Sequence, residues 1–405
     1  MTRTRGLAAL AAALVLVLGA CGGDDDDDGG ASSSGDDDTS EEEAPGGEAL
    51  TEIGEGEGAL TVLAWPYYAE DGTFNEGLDW VTQFEEDSGC NTEVKYFGTS
   101  DEAVQLFQSG QYDTVSASGD ASMRLVFSGD AAPLNTDLLE NYDELADFLK
   151  EAPNNSLDGT VYGVPHGWGA NLLQYNTDEV SPAPTSWGAV FDPDSPYAGK
   201  ITAYDSPIYI ADAALYLSET QPDLGIENPY ALDEDQLAAA TDLLKEQKDI
   251  IGEYWADYVK MEQSYTQGSL VMGTTWQVIA NTLTAQDPPV PVETVLPEEG
   301  STAWSDNWML HPDAEHPNCA YMWMNYITSG PVQETVSTTY GEAPANISIC
   351  DNIREHCDQY GADNEEFYGQ LSYWTTPTAE CLDGRTDVEC TDYNDWTQAW
   401  AEVKG

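Results

Sequence analysis

Strands and helices alternate in the region where the chain first becomes apolar enough to fold. The segments "LTVLAW" (60–65), "TEVKYF" (92–97) and "YDTVSAS" (112–118) have the composition of strands, and a helical apolar pattern separates each pair. Thr99 and Glu102 form a capping box at the beginning of the second helix. A β-α-β-α-β order predicts a parallel sheet covered by helices, in which ligands bind at the carboxyl ends of the strands.

A second α/β series follows further along the chain. It contains the strand patterns "KITAYD" (200–205), "SLVMGTTW" (269–276) and "VETVLP" (292–297), with helical patterns around 208–219 and 234–247. Together the two series exceed what one hydrophobic core usually contains. The expected fold class is therefore α/β with two lobes.

The chain then returns to the first series through the strand pattern "TAWSDNWML" (302–310), which has Trp304 and Asp306 on one face. A lobe interrupted by another lobe predicts a two-strand hinge with a ligand cleft between the lobes. The predicted boundaries are 59–165 and 305–405 for the first lobe and 166–304 for the second.

The first residues have the pattern of a targeting segment followed by a spacer. Residues 1–20 are expected to be a signal peptide, because Arg3 and Arg5 precede an apolar run too short to span a bilayer. The ending "LGAC" resembles a bacterial lipobox, so Cys21 is predicted to carry lipid and to anchor the protein on the outer face of the cytoplasmic membrane. An ordinary secretory peptide cut elsewhere is the alternative. Residues 21–58, rich in Gly, Ser and acids, predict a disordered tether.

Acidic residues outnumber basic ones throughout the chain. There are 75 Asp and Glu against 12 Lys and Arg, which gives a formal net charge of −63. A nucleic-acid partner is excluded, because the phosphate backbone would be repelled. The even spread of the acids favours adaptation to concentrated salt, which screens self-repulsion. A preference for a cationic ligand is the alternative.

Six cysteines remain besides Cys21, and an even number outside the cytoplasm predicts disulfides. These disulfide candidates are Cys90, Cys319, Cys350, Cys357, Cys381 and Cys390. The economical choice among fifteen connectivities joins near neighbours, as Cys350–Cys357 and Cys381–Cys390, and leaves Cys90–Cys319. Because seven residues of straight helix separate two Cα atoms by about 10 Å, "CDNIREHC" must bend for this pairing. A zinc site is the alternative, although neither short spacing has the C-x-x-C form.

Several segments, taken together and in order, resemble the extracellular solute-binding proteins of ABC importers. Within that family the resemblance is to the spermidine/putrescine-binding branch, and it covers nearly all of the folded body. The segments include "VLAWPYY", "VYGVPHGWGANLLQYNTDEV", "PTSWGAVFDPDSPYAGKITAYDS", "LPEEGSTAWSDNWML" and "YGEAPAN". The resemblance implies a type II periplasmic-binding-protein-like fold that closes over a solute and delivers it to a membrane permease. No cofactor or metal is implied, and we expect a monomer.

In that branch an aromatic box with carboxylates holds the polyamine between the lobes. The box positions that keep the family's residue type are Trp65, Tyr68, Trp276, Trp304 and Asp306. The positions where an expected acid is replaced are Tyr67, Ser206 and Tyr209. The positions with an acid where the family tends to have an aromatic residue are Asp120 and Glu342.

These residue types favour a positively charged ligand. An ammonium group over an aromatic face gains about 0.5–2 kcal/mol once desolvated, and a buried carboxylate balances its charge. Asp306 is expected to be the principal carboxylate. The predicted ligand is a polyamine, a diamine or a quaternary ammonium compound, with a lower charge than that of a long polyamine.

Other functions remain as alternatives to this interpretation. The same fold can bind a sugar or ferric iron, and a tethered sensory or adhesion module would need no permease. An enzyme is not expected, because the chain has only 4 histidines and none of the H-E-x-x-H, G-x-S-x-G or P-loop patterns.

Overall fold

A computed structural model describes residues 44–256 and 258–405. The predicted signal peptide, Cys21 and most of the predicted tether lie outside the described residues. The end of the predicted tether is ordered rather than disordered, because Leu50 and Ile53 pack against the main core. Glu57 accepts hydrogen bonds from the backbone of Asn318 and Cys319. The tether prediction, which extended to residue 58, is therefore wrong for its last residues.

Helices and strands alternate through the described residues. The strands are β1 (Ala59–Ala64), β2 (Asn91–Tyr96), β3 (Thr114–Ser118), β4 (Ser156–Leu157), β5 (Thr160–Val161), β6 (Gly163–Ala170), β7 (Leu172–Asn176), β8 (Ile201–Tyr204), β9 (Ile251–Trp255), β10 (Met272–Thr275), β11 (Val292–Val295), β12 (Ser301–Leu310), β13 (Ala343–Pro344) and β14 (Leu371–Tyr373). The helices are α1 (Val81–Ser88), α2 (Ser100–Phe107), α3 (Gly119–Ser128), α4 (Gly188–Phe191), α5 (Ile210–Thr220), α6 (Glu234–Lys248), α7 (Tyr258–Thr266), α8 (Gln277–Thr284), α9 (Pro317–Ile327), α10 (Gly330–Tyr340), α11 (Arg354–Tyr360), α12 (Glu365–Tyr368) and α13 (Tyr393–Lys404). Short 3₁₀ helices cover Thr136–Leu138, Tyr142–Glu144, Pro207–Tyr209, Pro222–Leu224 and Ile347–Asp351.

The larger sheet has seven strands within the described residues, in the order β13-β6-β12-β3-β1-β2, with β14 also paired to β12. β1 pairs in parallel with β2 and with β3, so the predicted β-α-β-α-β unit is confirmed. β12 pairs antiparallel with β3 on one side and with β6 on the other. All ten residues of β12 are buried, as expected for a central strand covered on both faces.

The smaller sheet has five strands within the described residues, in the order β11-β7-β10-β8-β9. β8 is parallel to β9 and β10, and β7 is antiparallel to β10 and β11. Asn171 alone separates β6 from β7, and residues 296–300 separate β11 from β12. These two connections carry the chain from one sheet to the other and back.

The C-terminal helix α13 packs in the core of the smaller sheet. Trp396 and Trp400, four residues apart on one helix face, are buried in the same hydrophobic cluster as Leu237 and Leu244 of α6. The prediction that the first lobe includes all of 305–405 is therefore wrong for this helix, because the rings of Trp396 and Trp400 are buried in the core of the smaller sheet. The remaining lobe boundaries stay predictions. The segment that leads to α13 is therefore a further crossing between the two sheets, besides the connections at Asn171 and at 296–300.

The predicted strands and helices of both series are confirmed, but β9 was not predicted. Gly252 and Glu253 interrupt its apolar pattern. The glycine is needed there, because a Cβ atom at Gly252 would lie 2.3 Å from the carbonyl oxygen of Gly199. The close approach of the Gly199 backbone explains the glycine in β9, and its side chains do not give the alternating pattern from which a strand is predicted.

The three disulfide pairings of the economical choice are present. The bonds are Cys90–Cys319, Cys350–Cys357 and Cys381–Cys390. The bend expected in "CDNIREHC" is also present, because the 3₁₀ helix ends at Asp351 and α11 begins at Arg354. This break brings the Cα atoms of Cys350 and Cys357 to 5.6 Å.

Removing Cys90–Cys319 should destabilise the protein more than removing Cys350–Cys357. The first bond closes a loop with a sequence separation of 229 and the second one of 7, and longer loops restrict the unfolded chain more. We expect Cys90→Ala/Cys319→Ala to lower the free energy of unfolding by about 2–5 kcal/mol. Urea unfolding without reductant measures both losses, and an equal or larger loss for Cys350→Ala/Cys357→Ala would contradict the loop argument.

Candidate ligand-binding site

A cavity of about 310 Å³ opens where the two sheets meet. Most of its wall is aromatic. The aromatic residues of the wall are Trp65, Tyr67, Tyr204, Tyr258, Trp276, Trp304, Tyr340 and Trp374. Among the lining residues that the structure describes, Asp306 is the one carboxyl group, and lysine and arginine do not occur. The cavity therefore combines aromatic faces with one acidic group.

The carboxyl end of β1 supplies the first part of the wall. The Trp65 indole N–H donates to Ser118 Oγ at 3.1 Å, and its backbone N–H donates to Ser116 Oγ at 3.0 Å. Tyr67 has a φ of 70°, a left-handed conformation that a tyrosine rarely adopts. Such conformations persist where the surrounding structure enforces them, often at binding sites. The turn after β1 thus holds Trp65 and Tyr67 against the cavity.

Trp276 and Trp304 form the second part of the wall. Their rings lie nearly edge to face, with centroids 6.0 Å apart. The Trp276 indole N–H donates to Asn171 Oδ1 at 2.9 Å, and Asn171 Nδ2 donates to Thr302 Oγ1 at 2.7 Å. Asn171 forms one connection between the sheets and Thr302 lies at the start of β12, just after the other, so the orientation of Trp276 is tied to both crossing points.

Asp306 lies on the face of β12 that carries Trp304. Its Oδ2 accepts a hydrogen bond of 2.6 Å from the Tyr68 hydroxyl, whereas its Oδ1 has no hydrogen-bond partner among the described residues. The side chain is only 3% exposed. Burial raises the pKa of Asp306 to about 7, although the nearby side chains of Ser118 and Tyr68 act to lower it, and the charge of Asp120 adds a smaller increase. A buried carboxylate with a free oxygen is poised to meet a cation.

Glu342 lies behind Asp306 and does not line the cavity. Its Oε2 is 2.8 Å from the Tyr68 hydroxyl oxygen, so that Tyr68 lies between the two carboxyl groups. Its Oε1 is 3.5 Å from His166 Nε2. Burial raises the pKa of Glu342 well above its usual range. Glu342 is thus linked to the cavity-lining carboxyl group of Asp306 by the Tyr68 hydroxyl.

Two glycines of β6 make room for these side chains. A Cβ atom at Gly167 would lie 2.3 Å from Cδ of Glu342, and one at Gly169 would lie 2.6 Å from Cζ2 of Trp304. No larger residue fits at either position without moving the side chain that covers it. The backbone of β6 therefore forms the floor under both Glu342 and Trp304.

Asp120 is buried in the first turn of α3, outside the lining of the cavity. Ser100 Oγ, which belongs to the lining, donates to Asp120 Oδ1 at 2.9 Å. Burial raises the pKa of Asp120 to about 6. Asp120 thus acts on the cavity through Ser100 and through its charge, rather than by direct exposure.

The structure brings most of the predicted positions together. Those that line the cavity are Trp65, Tyr67, Trp276, Trp304 and Asp306. Tyr68 and Glu342 lie directly behind Asp306, and Asp120 lies behind Ser100.

Ser206 and Tyr209 are placed elsewhere, which corrects their assignment as ligand-binding residues. Ser206 caps a 3₁₀ helix through a hydrogen bond from the backbone N–H of Ile208. Tyr209 is buried in the core of the smaller sheet, where its hydroxyl hydrogen-bonds Gln247 at 2.9 Å. An apolar core position explains why an acid is absent at residue 209.

Sequence reasoning missed several lining residues. Tyr204 ends the strand β8, so the rule that ligands bind at the carboxyl ends of strands was sufficient to find it. Tyr340 ends α10 two residues before Glu342. Trp374 follows β14, whose three residues are too few to give a sequence pattern, and its ring stacks on Tyr204 with centroids 5.6 Å apart.

Comparison with known proteins identifies the family. The family model described as bacterial extracellular solute-binding protein matches residues 79–355. The chain belongs to the bacterial extracellular solute-binding proteins. It is accordingly a transport protein and not an enzyme.

Two curated relatives and one solved structure show the range of similarity of this solute-binding protein. It is 24% identical over 295 residues to the putrescine/cadaverine-binding protein of Pseudomonas aeruginosa, covering 68% of this chain and 78% of the relative. It is 24% identical over 249 residues to the spermidine/putrescine-binding periplasmic protein of Escherichia coli, covering 60% and 66%. The spermidine/putrescine ABC transporter substrate-binding protein PotD of Streptococcus pneumoniae superposes with a TM-score of 0.66 at 18% identity, over 85% of this chain and 97% of that one.

The structural similarity confirms the predicted fold class, a two-lobed type II periplasmic-binding-protein-like fold with a cleft. The family is extracellular or periplasmic. Within residues 44–256 and 258–405, no helix combines the length and apolar character needed to cross a membrane.

Asp306→Asn should make the solute-binding protein, without ligand, less sensitive to rising pH. The pKa of Asp306 is about 7 in the folded protein against an ordinary value of 3.8, so between these values the folded state retains a proton that the unfolded state has lost. Stability therefore falls as the pH rises through this interval. Between pH 5 and pH 8, the free energy of unfolding of the wild type should fall by about 2.5 kcal/mol relative to that of Asp306→Asn.

Urea unfolding at several pH values measures this difference. Asp223→Asn is the control, because it removes the same formal charge from an exposed position. The buried location of the charge would be contradicted if both variants had the same pH profile.

Proposed function

We propose that this protein is the binding component of an ABC importer and that it captures a small cationic amine in the aromatic cavity for delivery to a membrane permease. One observation carries the proposal. Asp306 Oδ1 is an unpartnered carboxylate oxygen at a wall made mainly of aromatic rings, without a lysine or arginine among the described lining residues. A cation satisfies both features at once.

The energetics favour an organic cation over a neutral or anionic solute. Aromatic faces attract a desolvated ammonium group by about 0.5–2 kcal/mol, and such cages are a common means of recognising quaternary ammonium groups. An anion would meet Asp306 with no counterion in the described wall. Ferric iron would need tyrosinate ligands, but burial raises the pKa of Tyr204 and Tyr340, which opposes ionisation.

The relatives support the amine class. The two curated relatives described above are named for binding putrescine, cadaverine or spermidine. Tyr67, which lines the cavity, stands where the polyamine-binding pattern would place an acid. We therefore propose a ligand of lower charge than spermidine, such as a diamine or a monovalent amine.

Thermal unfolding with a panel of small solutes tests the proposal. The panel contains spermidine, putrescine, tetramethylammonium, glucose and ferric citrate. A ligand at 100 times its dissociation constant adds about 2.7 kcal/mol to the free energy of unfolding, which gives a clear shift. We expect amines alone to stabilise the protein. Stabilisation by glucose or ferric citrate alone would overturn the proposal, and so would the absence of any shift.

Asp306→Asn should weaken binding of the amine found in that panel. Loss of a charge-assisted contact costs about 1.5–3 kcal/mol, or roughly 10- to 100-fold in affinity. Titration calorimetry measures the loss, with Asp223→Asn as the surface control. Unchanged affinity in Asp306→Asn would remove this residue from the site.

We further propose that the protein acts as a monomer anchored through lipid on Cys21. The proposal rests on the "LGAC" pattern and the acidic spacer that follows it. We expect a radiolabelled fatty acid to be incorporated into the wild type in a bacterial host and not into Cys21→Ala. Equal labelling would contradict the anchor. Cys21→Ala should be released into the soluble fraction.

A further inference from the structure

We propose that Glu342 is held protonated, as the neutral donor to Tyr68, so that of the two described carboxyl groups joined by Tyr68 only Asp306 presents a negative charge and this end of the cavity binds one ammonium group. The statement that one ammonium group binds rests on the proposed function, whereas the statement that Glu342 is protonated rests on geometry. Two adjacent acids would otherwise suggest a site for two positive charges.

The chain begins at an indole that can only donate. The Trp308 indole N–H donates to His166 Nδ1 at 3.0 Å, so Nδ1 must carry the lone pair. A neutral imidazole then has its proton on Nε2, which faces Glu342 Oε1 at 3.5 Å. Neither atom has a hydrogen-bond partner within the described part of the chain, but this approach brings the positive end of an N–H dipole to Oε1. The proton of a neutral Glu342 is therefore favoured on Oε2, away from that dipole.

The Tyr68 hydroxyl lies between the two carboxyl groups. It is 2.6 Å from Asp306 Oδ2 and 2.8 Å from Glu342 Oε2. A hydroxyl has one hydrogen and can donate to only one of them. The other carboxyl group must donate its own proton to the hydroxyl oxygen. If both carboxyl groups were ionised, one of the two short oxygen–oxygen contacts would have no hydrogen between its atoms.

The surroundings decide which carboxyl carries that proton. Each carboxyl group has one oxygen without a hydrogen-bond partner among the described residues, but Glu342 packs against the Gly167 backbone away from the cavity, whereas Asp306 lines it. An ionised group is costlier in the fully enclosed position. Burial indeed raises the pKa of Glu342 well above its usual range, while the pKa of Asp306 is about 7. Glu342 therefore donates to Tyr68, and Tyr68 donates to Asp306.

The titratable groups around this pair do not reverse the order. The described groups that act on it are Tyr68, Tyr204, Tyr340, Asp120, His166 and His356. Burial lowers the pKa of His166 to about 3 and also lowers that of His356, so that both are neutral at pH 7. None of these groups supplies a positive charge to Glu342.

Infrared spectroscopy of the ligand-free protein tests the proton directly. We expect a protonated-carboxyl C=O band at about pH 8.5, above the pKa of Asp306. The band should disappear in Glu342→Gln and persist in Asp306→Asn. Absence of the band in the wild type, or its survival in Glu342→Gln, would overturn the proposal. This measurement needs no ligand, so it stands even if the proposed function fails.

Binding of putrescine tests the single charge. Glu342→Ala should weaken binding by about tenfold, because the Tyr68 hydroxyl oxygen loses its donor. Glu342→Gln should restore the affinity to within about threefold of the wild type, since an amide N–H also donates to Tyr68 while the amide oxygen can face His166 Nε2. If Glu342→Gln is as weak as Glu342→Ala, then Glu342 binds as an anion and the proposal fails. Wild-type protein that binds no amine would instead refute the proposed function.

Discussion

The pairing of β12 with both β3 and β6 is the constraint on which the site depends. Backbone hydrogen bonds on both edges fix the strand, and every residue along it is buried. Trp304 and Asp306 therefore have no freedom to move apart, and a tryptophan and a carboxylate are held side by side in a place shielded from water. The strand also begins at one of the two connections between the sheets, so a movement of one sheet relative to the other would change the geometry of the site.

Burial of the carboxyl groups explains the chemistry of the cavity. A carboxyl group withdrawn from water is stable only when it is protonated, or when its ionised form is hydrogen-bonded or paired with a cation. Glu342 and Asp306 represent two of these solutions, joined by the hydroxyl of Tyr68. The aromatic wall adds attraction for an organic cation without adding a competing positive charge. Among the described lining residues, the acidic character of the cavity comes from Asp306 beside the rings rather than from the overall excess of acid in the chain.

The sequence predicted the fold well where the pattern was long and regular. The strands at 60–65 and 302–310 could be placed because their apolar residues and their ends form a clear pattern in the sequence. Asp306 was found in the same way, since an acid in a buried strand is unusual. Tyr209 was misplaced because alignment to a motif does not reveal whether a side chain faces a core or a cleft. Trp374 was missed because a three-residue strand leaves no periodicity to detect.

Gly167 and Gly169 have a consequence beyond their fit. They lie on β6, behind the side chains of Glu342 and Trp304, and neither belongs to the wall of the cavity. A methyl group at either position would push a carboxyl group or an indole from the rear. The shape of the cavity can thus be changed from beneath its wall, by substitutions in β6 that shift Trp304 or Glu342 while every lining residue keeps its identity.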